Sequence, residues 1–248
     1  MKLALFDLDG TLFRGNAVIP YAIESVAKLR DAGVLVRFLT NNAGTHRSQL
    51  TEKLRSLGFE VEESEVYSSA MAAAQMCVER EFQKVFLVGE PGMSRTVADF
   101  GLTETESQPD AVIVGICRQI SYPWIDQALQ RILSGAAFIA TNTDATYPLE
   151  SGVQPGAGAI VAAVAACSGK SPEVAGKPER YVVDWILREA GCEPDQTWVI
   201  GDRMETDIEA GMRSGCQTHL VLTGVTAHPI DGVVCSEDLR GAVARIIG

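Results

Sequence analysis

A run of four apolar residues, Leu3-Ala4-Leu5-Phe6, ends abruptly in Asp7-Leu8-Asp9-Gly10-Thr11. An apolar run this short, bounded by a turn signal, suits a central parallel strand covered on both faces. Ligands of open α/β sheets bind beyond the carboxyl ends of such strands, which is where Asp7 and Asp9 fall. Side chains two apart on an extended chain point to the same side, so both carboxylates can converge on one small volume. Two unit charges roughly 4 Å apart repel by about 4 kcal/mol at an intermediate effective dielectric, so an oxygen-liganded Mg²⁺ held by Asp7 and Asp9 relieves them. Gly10 lets the backbone turn closely around the ligand. An acidic turn is the plain alternative. A calcium loop starting at Asp7 is excluded by register, since it would need Thr11 and Val18 as ligands where the last position demands Glu.

The rest of the chain supplies the sheet that such a strand requires. Apolar residues at helical spacing follow from Pro20 to Ala32, then the strand Val34–Leu39 ending in Thr40-Asn41-Asn42, and a helix over Arg47–Ser56. This β-α-β-α run is the pattern of a parallel sheet with helical crossovers. From Ser68 the alternation starts afresh. It runs through a helix over Ala70–Val78, the strand Val85–Val88, a helix past Met93, the strand Ala111–Val114, a helix over Tyr122–Leu133 and the strand Ala137–Ala140. A loop over Asn142–Gly158 and a helix over Ala159–Cys167 complete this part. None of its strands ends in a carboxylate pair, so residues 68–173 read as an inserted second α/β unit. The first theme resumes after Gly176-Lys177-Pro178 with a helix over Arg180–Ala190. The strand Thr197–Ile200 then ends in Gly201-Asp202, and the strand Thr218–Leu222 and a terminal helix over Leu239–Ile247 close the chain. The expected architecture is a doubly wound, Rossmann-like α/β core formed by 1–67 and 174–248, with an inserted α/β cap domain. No internal repeat or low-complexity tract interrupts it.

At 248 residues and 46% apolar, the chain can bury a good core. Its net charge of −11 argues against a nucleic-acid or anionic-membrane surface, so an anionic substrate has to be drawn in by a local metal and a few cations. The six cysteines form no Cys-x-x-Cys pair, the three histidines have no metal-ligand spacing, and no stretch approaches transmembrane length. These features, with Asp7 and Asp9 interrupting any N-terminal apolar region, lead to the expectation of a cytoplasmic protein.

Three strands of the core thus end in polar clusters: Asp7 and Asp9, Thr40 to Asn42, and Asp202 with Asp207. In a parallel sheet these ends lie along one edge. Any one of them alone is an ordinary turn or helix cap, and their coincidence is the signal. The chemistry that fits is phosphoryl transfer to a carboxylate, with Asp7 attacking phosphorus and Asp9 as general acid and base. Thr40 and Asn41 can donate hydrogen bonds to phosphate oxygens, with Asn42 beside them. Lys177 can supply the positive charge that the transferring group requires. Asp202 is placed as an Mg²⁺ ligand, Asp207 as a residue that holds a metal-bound water or orients Lys177, and Thr206 as the cap of the following helix.

Taken in this order, Asp7-Leu8-Asp9-Gly10-Thr11, Thr40-Asn41-Asn42, Gly176-Lys177-Pro178 and Gly201-Asp202-x-x-x-Thr206-Asp207 resemble the four motifs of the haloacid dehalogenase superfamily. Thr-Asn-Asn and the large α/β insertion between the second and third motifs are similar to its NagD-type branch, which includes p-nitrophenyl, nucleotide, phosphoglycolate and glycerol-phosphate phosphatases. The resemblance covers the whole chain. It implies an Mg²⁺-dependent phosphatase of small phosphorylated metabolites, with Asp7 as nucleophile and Asp9 as acid/base. It also implies Mg²⁺ on the Asp7 carboxylate, the Asp9 backbone carbonyl and Asp202. The insertion would be a cap that closes over the core, with a homodimer formed through it among the implied arrangements. The stretch Ala140–Asp144 through Pro155–Gly158 is similar to the branch's substrate-facing cap segment, which makes Asn142, Asp144 and Tyr147 the expected specificity residues; their plain alternative is a set of turn formers.

Two other patterns lead nowhere. Gly169-Lys170-Ser171 lacks the earlier glycine of a nucleotide-phosphate loop, where Val164 stands, and Gly156-x-Gly158-x-x-Val161 lacks the third glycine or alanine of a dinucleotide fingerprint. A phosphomutase, which keeps both aspartates, and a catalytically silent binding protein on the same fold are the competing functions. Halide-cleaving members lack the second aspartate, and ion pumps carry Lys in place of Leu8.

Overall fold

The computed structural model describes residues 1–149 and 152–248. In chain order it opens with β1 (Leu3–Phe6), the short strands β2 (Phe13–Arg14) and β3 (Ala17–Val18), α1 (Ala22–Asp31), β4 (Leu35–Thr40), α2 (Arg47–Ser56) and β5 (Val66–Ser68). There follow α3 (Ser69–Glu79), β6 (Lys84–Val88), α4 (Pro91–Asp99), β7 (Thr103–Glu104), β8 (Ala111–Val114), α5 (Tyr122–Leu133), β9 (Ala137–Ala140), β10 (Thr146–Leu149), β11 (Gly152–Pro155), α6 (Ala157–Ser168) and β12 (Glu173–Val174). The last part holds α7 (Tyr181–Ala190), β13 (Thr197–Gly201), α8 (Glu209–Arg213), β14 (Gln217–Val221), β15 (Cys235–Ser236) and α9 (Leu239–Ile247).

The chain divides into two compact units, the first made of Met1–Thr40, Leu50–Tyr67 and Lys177–Gly248, the second of Asn41–Gln49 and Ser68–Gly176. In the first, six strands form one sheet in the order β15-β14-β13-β1-β4-β5. The chain leaves β1 toward β4 on one side and returns through β13 on the other, so the winding reverses between β1 and β13. A ligand site of a doubly wound sheet lies at that switch point, beyond the carboxyl ends of the strands. Parallel register pairs Phe6 with Ile200 on β13 and with Phe38 on β4. Asp7, Gly201-Asp202 and Leu39-Thr40 therefore leave the sheet side by side.

Both faces of β1 are buried. Ala4 and Phe6 join Val26 and Leu29 of α1, Leu50 and Leu54 of α2, and Leu239, Val243 and Ile246 of α9 in one apolar cluster. Leu3 and Leu5, on the opposite face by the two-residue period, are also fully buried. That is why the strand reads as a continuous apolar run instead of an alternation.

The second unit carries five parallel strands in the order β12-β9-β8-β6-β7, packed with α5 and α6 through Val112, Val114, Ala128, Ile132, Ile160 and Val164. Asn41–Gln49, which sequence spacing leaves with the first segment, belongs here. His46 Nε2 lies 2.7 Å from Asp99 Oδ2 of α4, and the Asn41 carbonyl accepts from two side chains of this unit. The loop expected over 142–158 contains the antiparallel hairpin β10–β11, pairing Thr146 with Pro155 and Tyr147 with Gln154. Two prolines hide it from a sequence reading, since proline is confined to edges and ends of sheets. Residues 150 and 151 of that stretch lie outside the described residues.

Candidate active site

The first unit gathers three of the expected carboxylates about the ammonium group of Lys177. Lys177 Nζ donates to Asp7 Oδ1 and to Asp207 Oδ1, each at 2.6 Å, and reaches the Leu39 carbonyl at 3.4 Å. The side chains of Lys177 and Asp207 are 3% and 2% exposed, so these ion pairs work in a medium far less screening than water. Carboxylate oxygens of Asp7, Asp202 and Asp207 lie within 4.8 Å of one another. Three acidic groups around a single lysine leave an excess of negative charge, and its effect is legible in their proton affinities. Burial, reinforced by Asp207 and Asp202, pushes Asp7 well above the ordinary carboxylate range against the pull of Lys177. Burial and Asp207 raise Asp202 to about 6, against a hydrogen bond from Val225 N–H. Burial disfavours the charge on Lys177, yet Asp207 and Asp7 outweigh it and hold its pKa above the ordinary lysine value. An all-oxygen donor set with surplus negative charge fits a small hard cation such as Mg²⁺.

Asp9 is outside that carboxylate group, so the expectation that the Asp7 and Asp9 side chains together grip the cation gives way to Asp7, Asp202 and Asp207. The same-side rule for residues two apart holds only in extended chain, and β1 ends at Phe6. The backbone then turns, with Leu12 N–H donating to the Leu8 carbonyl at 2.9 Å and Gly10 N–H to the Phe13 carbonyl at 2.8 Å. The Asp9 residue is open to solvent at its surface. Crowding by surrounding protein raises its pKa, while Lys53 and Lys177 draw it down. Gly10 sits at φ +90°, and a Cβ there would lie 2.5 Å from Asp202 Oδ2. Only glycine meets both constraints.

Thr206 does not cap the helix after β13. Residues Met204–Ile208 form one wide turn with no side-chain cap. Asp207 fills that role, its Oδ2 accepting from Arg203 N–H at 3.1 Å while its other oxygen holds Lys177. One carboxylate thus orders the turn and orients the lysine.

A fourth strand end completes the set and escapes the motif reading. The loop after β14 places Val225 N–H 2.6 Å from Asp202 Oδ2 and Thr226 N–H 3.0 Å from the Asp202 carbonyl. Thr223 Oγ donates to the Gly10 carbonyl at 2.7 Å. A Cβ on Gly224 would lie 1.8 Å from Asp202 Oδ2. The sequence signal was available: Thr223-Gly224 ends the strand next to β13 on the same sheet edge.

Thr40, buried at the end of β4, belongs to the first unit. Asn41, Asn42, Asn142 and Asp144 belong to the second. There Asn41 Nδ2 donates to Asp144 Oδ2 at 3.1 Å. Asn142 is 3% exposed, with Nδ2 donating to the Asn41 carbonyl at 2.8 Å and Oδ1 accepting from Asp144 N–H at 3.1 Å. Both sides of the amide are thus engaged inside the protein and hold the loop. Asn42 accepts from Gly44 N–H at 3.0 Å and donates to Thr45 Oγ1 at 3.3 Å, a local turn. Tyr147 bonds to Gln154 across the hairpin and accepts from Arg118 Nε at 3.1 Å.

Residues 4–103 match the model of the haloacid dehalogenase-like hydrolases, and residues 174–239 match a second model of hydrolases of that type. The 5'-nucleotidase YutF of Bacillus subtilis is 37% identical over 223 residues, covering 90% of this chain and 87% of its own. The ribonucleotide monophosphatase NagD of Escherichia coli is 34% identical, covering 92% of this chain and 90% of its own. Among solved structures, a p-nitrophenyl phosphatase from Archaeoglobus fulgidus superposes with a TM-score of 0.92 at 32% identity over 98% of both chains. A glycerol phosphate phosphatase from Mycobacterium tuberculosis, solved in complex with magnesium, gives 0.87 at 32% identity over 97% of this chain and 76% of its own. With three of its four motifs at the ends of β1, β4 and β13 and the other bringing Lys177 against Asp7 and Asp207, the chain belongs to the haloacid dehalogenase-like hydrolases, on the branch of the NagD-type phosphatases.

Proposed function

We propose that the protein is an Mg²⁺-dependent hydrolase of small phosphomonoesters that works through an aspartyl phosphate on Asp7. The observation that carries this reading is the Lys177 ammonium held 2.6 Å from both Asp7 and Asp207, with Asp202 in the same carboxylate group. Mg²⁺ held by Asp7, Asp202 and the Asp9 backbone carbonyl, with Asp207 beside them, would neutralise phosphate charge and keep Asp7 ionised.

An Asp7 carboxylate oxygen bonds to phosphorus as the ester P–O bond breaks, and Asp9 gives its proton to the departing alkoxide. Asp9, now ionised, takes a proton from water. That water attacks phosphorus, breaks the acyl phosphate bond and releases inorganic phosphate, which restores Asp7. Lys177 carries positive charge next to the reacting oxygen throughout, and Asp207 fixes its position. Thr40, at the end of β4, is the expected donor to the phosphate oxygens.

The relatives' named substrates are nucleotides, p-nitrophenyl phosphate and glycerol phosphate, so phosphorylated metabolites of that size are the substrate class we assign. The six cysteines are free thiols, and among the described residues no helix is long and apolar enough to cross a membrane. Both features support a place in the reducing cytoplasm. The test is phosphate release from a broad set of phosphorylated metabolites with Mg²⁺, using Asp7→Asn as the blank. Release from a small subset, abolished in the variant, is the expected result. Transfer between sugar phosphates without net release would point to a mutase, and binding without either reaction to a silent protein.

A further inference from the structure

Residues 223–226 bond to each of the three turns of the first unit that carry Asp7, Asp202 and Asp207. Val225 N–H donates to Asp202 Oδ2 at 2.6 Å, and Thr226 N–H donates to the Asp202 carbonyl at 3.0 Å. Thr226 Oγ1 accepts from Met204 N–H at 3.4 Å, at the start of the wide turn that holds Asp207. Thr223 Oγ1 donates to the Gly10 carbonyl at 2.7 Å, in the turn that follows Asp7. Three carboxylate-bearing segments thus meet on one short loop.

The strand order shows what this loop accomplishes. β14 neighbours β13, and β1 lies on the far side of β13. The end of β14 and the Gly10 turn are therefore not joined by the sheet ladder, and the loop has to pass over the end of β13 to reach Gly10. Asp202 stands at that crossing. A Cβ on Gly224 would lie 1.8 Å from its Oδ2 and a Cβ on Gly10 2.5 Å from the same oxygen, so the carboxylate is held between two glycine backbones. Arg14 Nη2 donates to the Thr223 carbonyl at 2.7 Å, and Gly10 N–H donates to the Phe13 carbonyl at 2.8 Å. These bonds close a ring through Gly10, Thr223 and Arg14. Arg14 is exposed and its link is screened by water, whereas Gly10 is buried, where a carbonyl left without a donor is costly.

We propose that Thr223 is a positioning residue for the cation. Its hydroxyl fixes the spacing between the turn that presents Asp7 and the loop that orients Asp202. The proposal rests on the Mg²⁺ reading of the site and deepens it. Mg²⁺ demands near-ideal octahedral geometry, so its affinity responds to small displacements of either carboxylate. A hydroxyl that only closed a loop would alter stability and leave that affinity alone.

The test is calorimetric titration of the full chain, freed of metal by chelation, with Mg²⁺ alone. Thr223→Val removes the hydroxyl and is expected to weaken Mg²⁺ binding by about ten- to a hundredfold, the effect of losing a partner that orients a metal ligand. Thr223→Ser keeps the hydroxyl and should retain most of the parent's affinity. Urea unfolding of the metal-free proteins shows whether each variant folds, and Thr223→Ala, with less bulk, repeats the deletion where Thr223→Val does not. Mg²⁺ affinity equal to the parent's in the folded deletion variant, a loss as large in Thr223→Ser, or no Mg²⁺ binding by the parent would each overturn the proposal. A parent that binds Mg²⁺ yet releases phosphate from no ester would refute the hydrolase reading alone, and the calorimetry would still decide the role of Thr223.

Discussion

Replacing Gly224 by alanine sets a methyl group where Asp202 already stands. The new Cβ would lie 1.8 Å from Asp202 Oδ2, 2.3 Å from Cγ and 2.5 Å from Cβ. Heavy atoms in contact sit about 3.5–4.0 Å apart, so one partner has to move by more than an ångström. Asp202 is 3% exposed and tied by Val225 N–H at 2.6 Å and Thr226 N–H at 3.0 Å. Rotating its carboxylate away breaks a charge-assisted hydrogen bond, at about 1.5–3 kcal/mol. Moving the loop instead strains the Thr223 bond to the Gly10 carbonyl and overpacks the site, at about 1–3 kcal/mol. The cheaper route sets the loss, about 2 kcal/mol, which for a chain of this size lowers the melting temperature by roughly 4–8 °C. The first route displaces a proposed metal ligand and the second strips it of the Val225 hydrogen bond that orients it, so half-maximal activity should need about 10–100 times more Mg²⁺. Calorimetric melts and an Mg²⁺ titration of activity measure both effects. A Gly224→Ala protein with the parent's melting temperature and Mg²⁺ dependence would show that this loop does not fix Asp202.

Further outcomes follow from the same geometry. Lys177→Met leaves Asp7 and Asp207 buried without their cation and should reduce phosphate release by about a thousandfold. In metal-free protein the same change should cost about 3–5 kcal/mol by urea unfolding, since one partner of a buried network is lost; unchanged stability would contradict the pairing. Mg²⁺ at about 100 times its dissociation constant should stabilise the parent by about 2.7 kcal/mol, and Asp202→Asn should remove most of that shift. His219 provides a pH test away from the site. Its Nε2 lies 2.7 Å from Ser236 Oγ, whose hydroxyl donates to the Asp238 carbonyl, and its Nδ1 has no partner among the described residues. Burial, with Arg245 of α9 adding to it, lowers its pKa from 6.5 to about 4. The unfolded chain therefore takes up the proton first. The stabilisation is complete above pH 6.5 and fades as pH falls toward 4, a loss of up to about 3 kcal/mol. Urea midpoints at the two ends of that range should converge in His219→Gln, and an equally steep decline in the variant would exclude His219 as the cause.

Much of this fold is legible because its strands are buried on both faces. Leu3–Phe6, Ala111–Val114 and Ala137–Ala140 are short apolar runs, and their ends coincide with the strands β1, β8 and β9. The helix Tyr122–Leu133 is equally plain from its spacing and its exposed Tyr122 and Leu133. The two-residue strands β7, β12 and β15 and the hairpin β10–β11 carry no such signal, because short exposed edges are made by register with neighbours that a linear pattern does not contain. At the site, the grouping of Asp7, Asp202 and Asp207 follows from strand ends on one sheet edge, whereas Lys177 comes from the loop before α7 and is pointed to by the charge those carboxylates need. The place of Asp9 is not legible, because it depends on where β1 stops. The burial of Asn142 is not legible either, because a polar loop residue reads the same in sequence whether it is exposed or bonded to a buried carbonyl. Thr223-Gly224 marks a strand end in the sequence, but only the approach of Asp202 shows why a glycine is needed there.

The central claim is that Asp7 carries the phosphoryl group, and Asp9→Asn tests it most directly. With 4-nitrophenyl phosphate the leaving group departs without a proton, so the first step survives while the activation of water is lost. Rapid acid quench and peptide mass spectrometry should then find one added phosphoryl group on the peptide that contains Asp7, labile to hydroxylamine. A burst of nitrophenol with no phosphorylated Asp7, or a phosphoryl group on another residue, would contradict the account.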